Sequence, residues 1–164
     1  WVGSLIESLN QKIILITPEG EEEEAVTRLS RVGYDNTLGY LKGGIETYLK
    51  TGEQLNTITS ISPKELADNY KSCTIIDVRK PGEYTSEHIE NAGHYALDYM
   101  KNDLTKLDKE TTYHIHCAGG YRSIIAISLL MQNGYSKLID VAGGFRLIRE
   151  TDIPKTVFVC PSTL

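Results

Sequence analysis

Tyr113–Phe145 reads Y-H-I-H-C-A-G-G-Y-R-S-I-I-A-I-S-L-L-M-Q-N-G-Y-S-K-L-I-D-V-A-G-G-F. Tyr113 to Cys117 is a short run rich in aromatic and apolar residues and reads as a strand. Two glycines, Gly119 and Gly120, interrupt it. Ser123 to Asn133 is almost wholly apolar and reads as a helix buried in its domain. Gly134 stands where a left-handed C-terminal cap is expected. Lys137 to Val141 reads as a second strand, and Gly144 to Glu150 as the helix after it. A strand, a helix and a strand in succession predict a parallel pair, so this stretch assigns the chain to the α/β class.

The residues upstream extend the pattern. Ser62-Pro63-Lys64-Glu65 is a helix entry, with Ser as cap, Pro in the first turn and Glu completing a capping box. Thr74 to Val78 reads as a buried strand, Glu83 to Glu87 as a short helix, and Ala92 to Leu97 as containing another short strand. Strands alternating with helices predict a parallel sheet covered on both faces.

A related stretch occurs earlier, from Ile13 to Ile45: I-I-L-I-T-P-E-G-E-E-E-E-A-V-T-R-L-S-R-V-G-Y-D-N-T-L-G-Y-L-K-G-G-I. Gly33-Tyr34 matches Gly134-Tyr135, and Gly43-Gly44 matches Gly143-Gly144. The spacing between the two pairs is one residue longer in the first copy, which one residue of loop slippage would absorb. Ile13 to Thr17 and Thr37 to Leu41 read as strands, and Glu21 to Val32 and Gly44 to Lys50 as helices. Such a long period suggests duplicated domains rather than a solenoid. Only Trp1 to Lys12 precedes the first copy, so residues 1–55 read as the second half of a domain and 56–164 as a whole one. An incomplete half should leave an apolar sheet edge and apolar faces exposed.

Composition narrows the function classes. The chain has 164 residues, 40% hydrophobic and 24% charged, which suits a globular protein. A net charge of −5 gives no general pull toward nucleic acid or anionic membrane. No apolar run approaches the ~20 residues of a membrane helix. The chain begins with Trp1 rather than Met, which suggests a piece of a longer protein. Three cysteines without a close pair, Cys73, Cys117 and Cys160, form no disulfide framework and suggest a reducing, cytoplasmic location.

Cys117 is the candidate nucleophile. It closes a strand that should lie in a parallel sheet, where functional groups gather at the carboxyl ends. Gly119 and Gly120 let the backbone curl into an anion-binding nest, the following helix adds its positive end, and Arg122 supplies a cation. These features favour the thiolate, the reactive form of cysteine. The same cradle would stabilise a persulfide anion.

C-A-G-G-Y-R-S at Cys117–Ser123 resembles the active-site loop of the rhodanese family. I-I-D-V-R at Ile75–Arg79, E-H-I-E-N-A at Glu87–Ala92 and V-A-G-G-F at Val141–Phe145 are also similar to that family, over about Thr57 to Thr156. The resemblance implies a parallel sheet flanked by helices. It implies sulfur transfer from thiosulfate or a low-molecular-weight persulfide to a thiol or cyanide acceptor, with no cofactor beyond a covalent cysteine persulfide. Carried over, Cys117 forms the persulfide, Ala118, Gly119, Gly120, Tyr121, Arg122 and Ser123 form its cradle, and Arg122 contacts an anionic donor. Asp77 and Arg79 correspond to a structural motif. Arg79 is expected to pair with Glu83, with His88 in the same support. The family's usual G-H-I-P-G-A is altered here at Glu87, Glu90 and Asn91.

The first copy resembles a rhodanese half without its chemistry. Thr17 stands in place of Cys117, Pro18 lacks an N–H, and Glu19 and Glu21 would repel anions. The tandem resembles the tail of bacterial proteins that join a metallo-β-lactamase-fold domain to rhodanese domains, which implies such a domain upstream in the full-length protein.

Other chemistries fit less well. His114, His116 and Cys117 suggest metal ligands, but alternation in a strand puts the two histidines on one face and Cys117 on the other. They are expected to be polar strand residues near a surface, with no metal. Cysteine phosphatases of related fold place one residue more between Cys and Arg than the four here, Ala118 to Tyr121, so the shorter loop suits one sulfur better than a phosphate. A non-enzymatic sulfide- or persulfide-sensing module is the remaining alternative.

Overall fold

The computed structural model describes residues 1–160, apart from the side chains of Ser4 and Asp103. Residues 161–164, the end of the expected second domain, lie outside the described residues. The chain divides into two compact units, Trp1–Asn56 and Thr57–Leu164.

The larger unit is built on a five-stranded sheet. Its strands are β3 (Thr59–Ile61), β4 (Thr74–Asp77), β5 (Gly93–His94), β6 (Tyr113–His116) and β7 (Leu138–Val141). They run in the order β3-β7-β6-β4-β5, and every neighbouring pair is parallel. The edge strand β3 was not legible in the sequence, because T-S-I is short and has no apolar alternation. The helices of this unit are α4 (Pro63–Asn69), α5 (Pro81–Ser86), α6 (Met100–Asp103), α7 (Tyr121–Gln132) and α8 (Gly144–Ile148).

Helix α4 starts where its capping box predicts: Glu65 N–H donates to Ser62 Oγ at 3.2 Å and Ser62 N–H to Glu65 Oε2 at 2.7 Å. Helix α7 buries Ser123, Ala126, Ile127, Leu129 and Leu130 and leaves Ile124 and Ser128 exposed. Gly134 ends it with φ +85°, and Tyr135 N–H returns to the Leu130 carbonyl at 3.1 Å.

Successive strand residues serve opposite faces of the sheet. Ile76, Ile115 and Cys117 pack with Ala126, Ile127 and Leu130 of α7. Ile75 and Val141 pack with Leu66 of α4 and with Phe145 and Ile148 of α8. Burying both faces explains the near-continuous apolar reading of β4.

The smaller unit comprises α1 (Val2–Leu5), β1 (Ile13–Leu15), α2 (Glu22–Ser30), β2 (Thr37–Tyr40) and α3 (Gly44–Leu49), with β1 and β2 parallel. Its element order and strand direction match β6-α7-β7-α8. The turns match as well: Gly33 has φ +86° and Tyr34 N–H bonds the Leu29 carbonyl at 3.1 Å, as Gly134 and Tyr135 do with Leu130. The extra residue of this copy is not in a loop, as the sequence suggested. Ile13 pairs with Thr37 and Ile14 with Gly39, so Leu38 is the extra residue, a bulge in β2; Tyr113 and His114 pair with consecutive residues, Leu138 and Ile139. Ile14, Ile16, Leu38 and Tyr40 are exposed at 69%, 57%, 60% and 52%. Among the described residues of this unit, only Tyr34 and Gly44 are buried.

Candidate active site

Cys117 follows β6 directly, at the carboxyl end of the central strand of the larger sheet. Its side chain belongs to the core packed on α7 and is 1% exposed. The loop after it curls back through Gly120, whose φ of +101° suits glycine, and sends the Gly120 N–H to Cys117 Sγ at 3.1 Å. Helix α7 begins at the next residue. Ser123, fully buried in its first turn, donates to the Gly120 carbonyl at 3.1 Å and lies 3.7 Å from Sγ. A backbone N–H and a helix N-terminus thus converge on the sulfur, with the Ser123 hydroxyl beside it.

Helix α8 holds the loop from the other side. Phe145 N–H donates to the Cys117 carbonyl at 2.6 Å and Arg146 N–H to the Ala118 carbonyl at 3.0 Å. Gly144 has φ +58°, and a Cβ there would stand 2.4 Å from the Cys117 carbonyl oxygen. The smaller unit repeats this approach, with Gly44 at φ +58° and a Cβ position 2.6 Å from the Thr17 carbonyl oxygen.

The expected cradle is only partly assembled around the sulfur. Gly120 and Ser123 reach Sγ. Gly119 is exposed, and Tyr121 is 69% exposed, because as the first residue of α7 its side chain projects outward. Arg122 is held by Glu83 through two bonds, Nη1 to Oε2 at 2.5 Å and Nη2 to Oε1 at 2.9 Å. This pairing holds the Glu83 carboxyl below the usual carboxylate range and raises Arg122. The cation expected to meet an anionic donor therefore already carries a carboxylate.

The expected Arg79–Glu83 pair does not form. Arg79 turns back onto Asp77 instead, with Nε 2.9 Å from Oδ2 and Nη2 2.6 Å from it. Nη2 also donates to the Glu87 carbonyl at 2.7 Å, and the guanidinium lies 3.9 Å above the Phe145 ring. Both partners are buried, so the pair is a desolvated clamp joining β4 to the segment after α5. His88 lies at that segment: it stacks on Tyr84 at 3.7 Å, and its N–H donates to Thr156 Oγ1 at 3.0 Å.

Of the two strand histidines expected near a surface, His114 is partly exposed and His116 is not. His116 is fully buried, with Nε2 3.9 Å from Asp77 Oδ2, because helices cover both faces of the sheet. Burial pushes its pKa down. His114 is half-buried, with Nε2 3.6 Å from Cys73 Sγ. Cys73 stands before β4, at the opposite end of the sheet from Cys117, and burial pushes its thiol up. Cys160 is exposed.

A cavity of about 610 Å³ opens beside the Cys117 loop, with Lys80, Glu83, Ala118, Arg146 and Arg149 in its walls. Sequence reasoning missed Lys80, Arg146 and Arg149. They lie outside the family motifs or beside them, and only packing brings them to the loop.

The family profile of the rhodanese-like domain matches residues 62–151. The thiosulfate sulfurtransferase GlpE of Coxiella burnetii is 31% identical over 46% of this chain and 70% of its own length. The putative sulfur carrier protein YrkF of Bacillus subtilis is 28% identical over 65% of this chain, which spans 58% of that protein. The crystal structure of a rhodanese-related protein from Thermoplasma volcanium is 30% identical, with a TM-score of 0.56, covering 60% of this chain and 98% of that one.

Proposed function

The chain belongs to the rhodanese-like domain family, and on that premise we propose that Cys117 carries sulfane sulfur as a persulfide from a donor to a thiophilic acceptor. The observation that carries this reading is the Gly120 N–H aimed at Sγ from 3.1 Å, at the head of α7. With thiosulfate, the Cys117 thiolate attacks the outer sulfur. An S–S bond forms on the cysteine, the bond to the sulfonate breaks, and sulfite leaves with the electron pair. Cyanide then takes the outer sulfur as thiocyanate and restores the thiolate. The Gly120 N–H stabilises the anion in both states, and no metal or organic cofactor enters either step.

Cys117→Ser should abolish thiosulfate:cyanide transfer and the gain of one sulfur by mass spectrometry, while Cys73→Ser and Cys160→Ser retain both. Transfer at the unmodified rate by folded Cys117→Ser protein overturns the assignment. Transfer with no phosphatase activity in the same preparation separates it from the phosphatase reading.

We further propose that residues 1–55 are the C-terminal half of a degenerate, inactive rhodanese-like domain and 56–164 the catalytic one. The matched turns and the shared approach of Gly44 and Gly144 support the duplication, and Thr17 in place of Cys117 supports inactivity. A cytoplasmic location and an upstream metallo-β-lactamase-fold domain belong to the same reading. They rest on the cysteine usage and the tandem resemblance, and sequencing the full-length gene tests the second.

A further inference from the structure

The cavity beside Cys117 is larger than an inorganic donor needs. At about 610 Å³ it falls in the range of about 300–1,000 Å³ that takes drug-sized organic ligands, whereas thiosulfate is a handful of atoms. Its charges are unevenly matched. Glu83 is engaged by Arg122, and Glu87 by Arg149 at 2.6 Å. Lys80 and Arg146 are exposed in the walls, and no carboxylate among the described residues pairs with either. Phe145, itself 3% exposed, also lines the cavity. The cavity is tied to the nucleophile: Arg146 N–H bonds the Ala118 carbonyl, and Phe145 N–H bonds that of Cys117.

We infer that this cavity takes the carrier portion of an organic persulfide, R–S–SH, whose R group bears at least two negative charges. The inference rests on Cys117 as the sulfur carrier. In the step, the Cys117 thiolate attacks the outer sulfur of R–S–SH. The new S–S bond forms on Cys117, the old one breaks, R–S⁻ leaves with the electron pair, and the proton stays on the transferred sulfur. Nothing is oxidised or reduced overall. Lys80 and Arg146 determine specificity by holding the charges of R, and the arginine pairs keep both nearby carboxylates from repelling them.

The test measures the rate of persulfide formation on Cys117, by mass spectrometry, with three organic donors and thiosulfate. Coenzyme A persulfide supplies phosphates, glutathione persulfide supplies carboxylates, and N-acetylcysteamine persulfide is an uncharged carrier. The expected result is a preference of about tenfold or more for at least one anionic carrier over the uncharged one. In a Lys80→Ala/Arg146→Ala double variant that ratio should fall about tenfold, the order of effect of two partly exposed charge contacts. Arg146→Lys, combined with native Lys80, should keep most of it. Both side chains are exposed, so an unchanged denaturation midpoint verifies the fold. Equal rates for charged and uncharged carriers, or a ratio unmoved in the double variant, overturn the inference. Failure of every donor, thiosulfate included, to label Cys117 overturns the proposed function instead.

Discussion

Gly144→Ala should damage the site without touching any reacting atom. The native φ of +58° lies in the left-handed region, where a side chain costs roughly 1–2 kcal/mol. The new Cβ would stand 2.4 Å from the Cys117 carbonyl oxygen and 2.9 Å from the Ala118 carbonyl carbon. Both are backbone atoms, so no side chain can swing aside. The chain must shift by a good fraction of an ångström, which breaks the 2.6 Å bond from Phe145 N–H to the Cys117 carbonyl. Losing that bond adds about 0.5–1.5 kcal/mol, for a total of about 1.5–3.5 kcal/mol. A shift approaching 1 Å at a reacting group costs on the order of 100-fold in rate. The assays are urea unfolding and thiosulfate:cyanide transfer, with Gly82→Ala as a stability control, because a Cβ at Gly82 meets nothing within 4 Å. Gly144→Ala protein with wild-type stability and wild-type kcat/KM would refute the reasoning.

Two further predictions concern titrating groups. Glu83→Gln removes the charge that holds Arg122; this pair, still partly exposed to solvent on the Glu83 side, should contribute about 1 kcal/mol or less. Because the Glu83 pKa is lowered in the folded state, that contribution is present above its ordinary value of 4.5 and lost as pH falls through the folded value. The unfolding midpoints of wild type and variant should therefore differ at pH 7 and converge in acid; a difference that persists in strong acid contradicts it. His116 is buried neutral, with its pKa below the ordinary 6.5, so the unfolded chain binds its proton first. Stability should be complete above pH 6.5 and fall below it by up to about 1.4 kcal/mol per pH unit for one group. His116→Gln should flatten this slope, leaving the smaller part due to His114; an unchanged slope in the variant contradicts it.

Features that depend on neighbours in sequence are legible from the chain alone. The capping box at Ser62, the left-handed turns at Gly33 and Gly134, the apolar helix after Cys117 and the strand–helix alternation each arise within a few residues. So does the place of Cys117, because a strand end, a glycine turn and a helix start are contiguous. The repeat is legible for the same reason, although its extra residue proves to be the bulge at Leu38. The tertiary structure alone decided which charges meet. Arg79 chose Asp77 over Glu83, and Glu83 chose Arg122 from across the fold, because ion pairs depend on which side chains the packed sheet brings within reach. The strand order, the edge strand β3 and the burial of His116 follow from the same packing. The cavity is assembled from residues 79–86, Ala118 and residues 145–149, three segments remote in sequence. Short-range preferences write the elements and the nucleophile into the chain, whereas charge partners and cavity shape exist only once distant segments share one core.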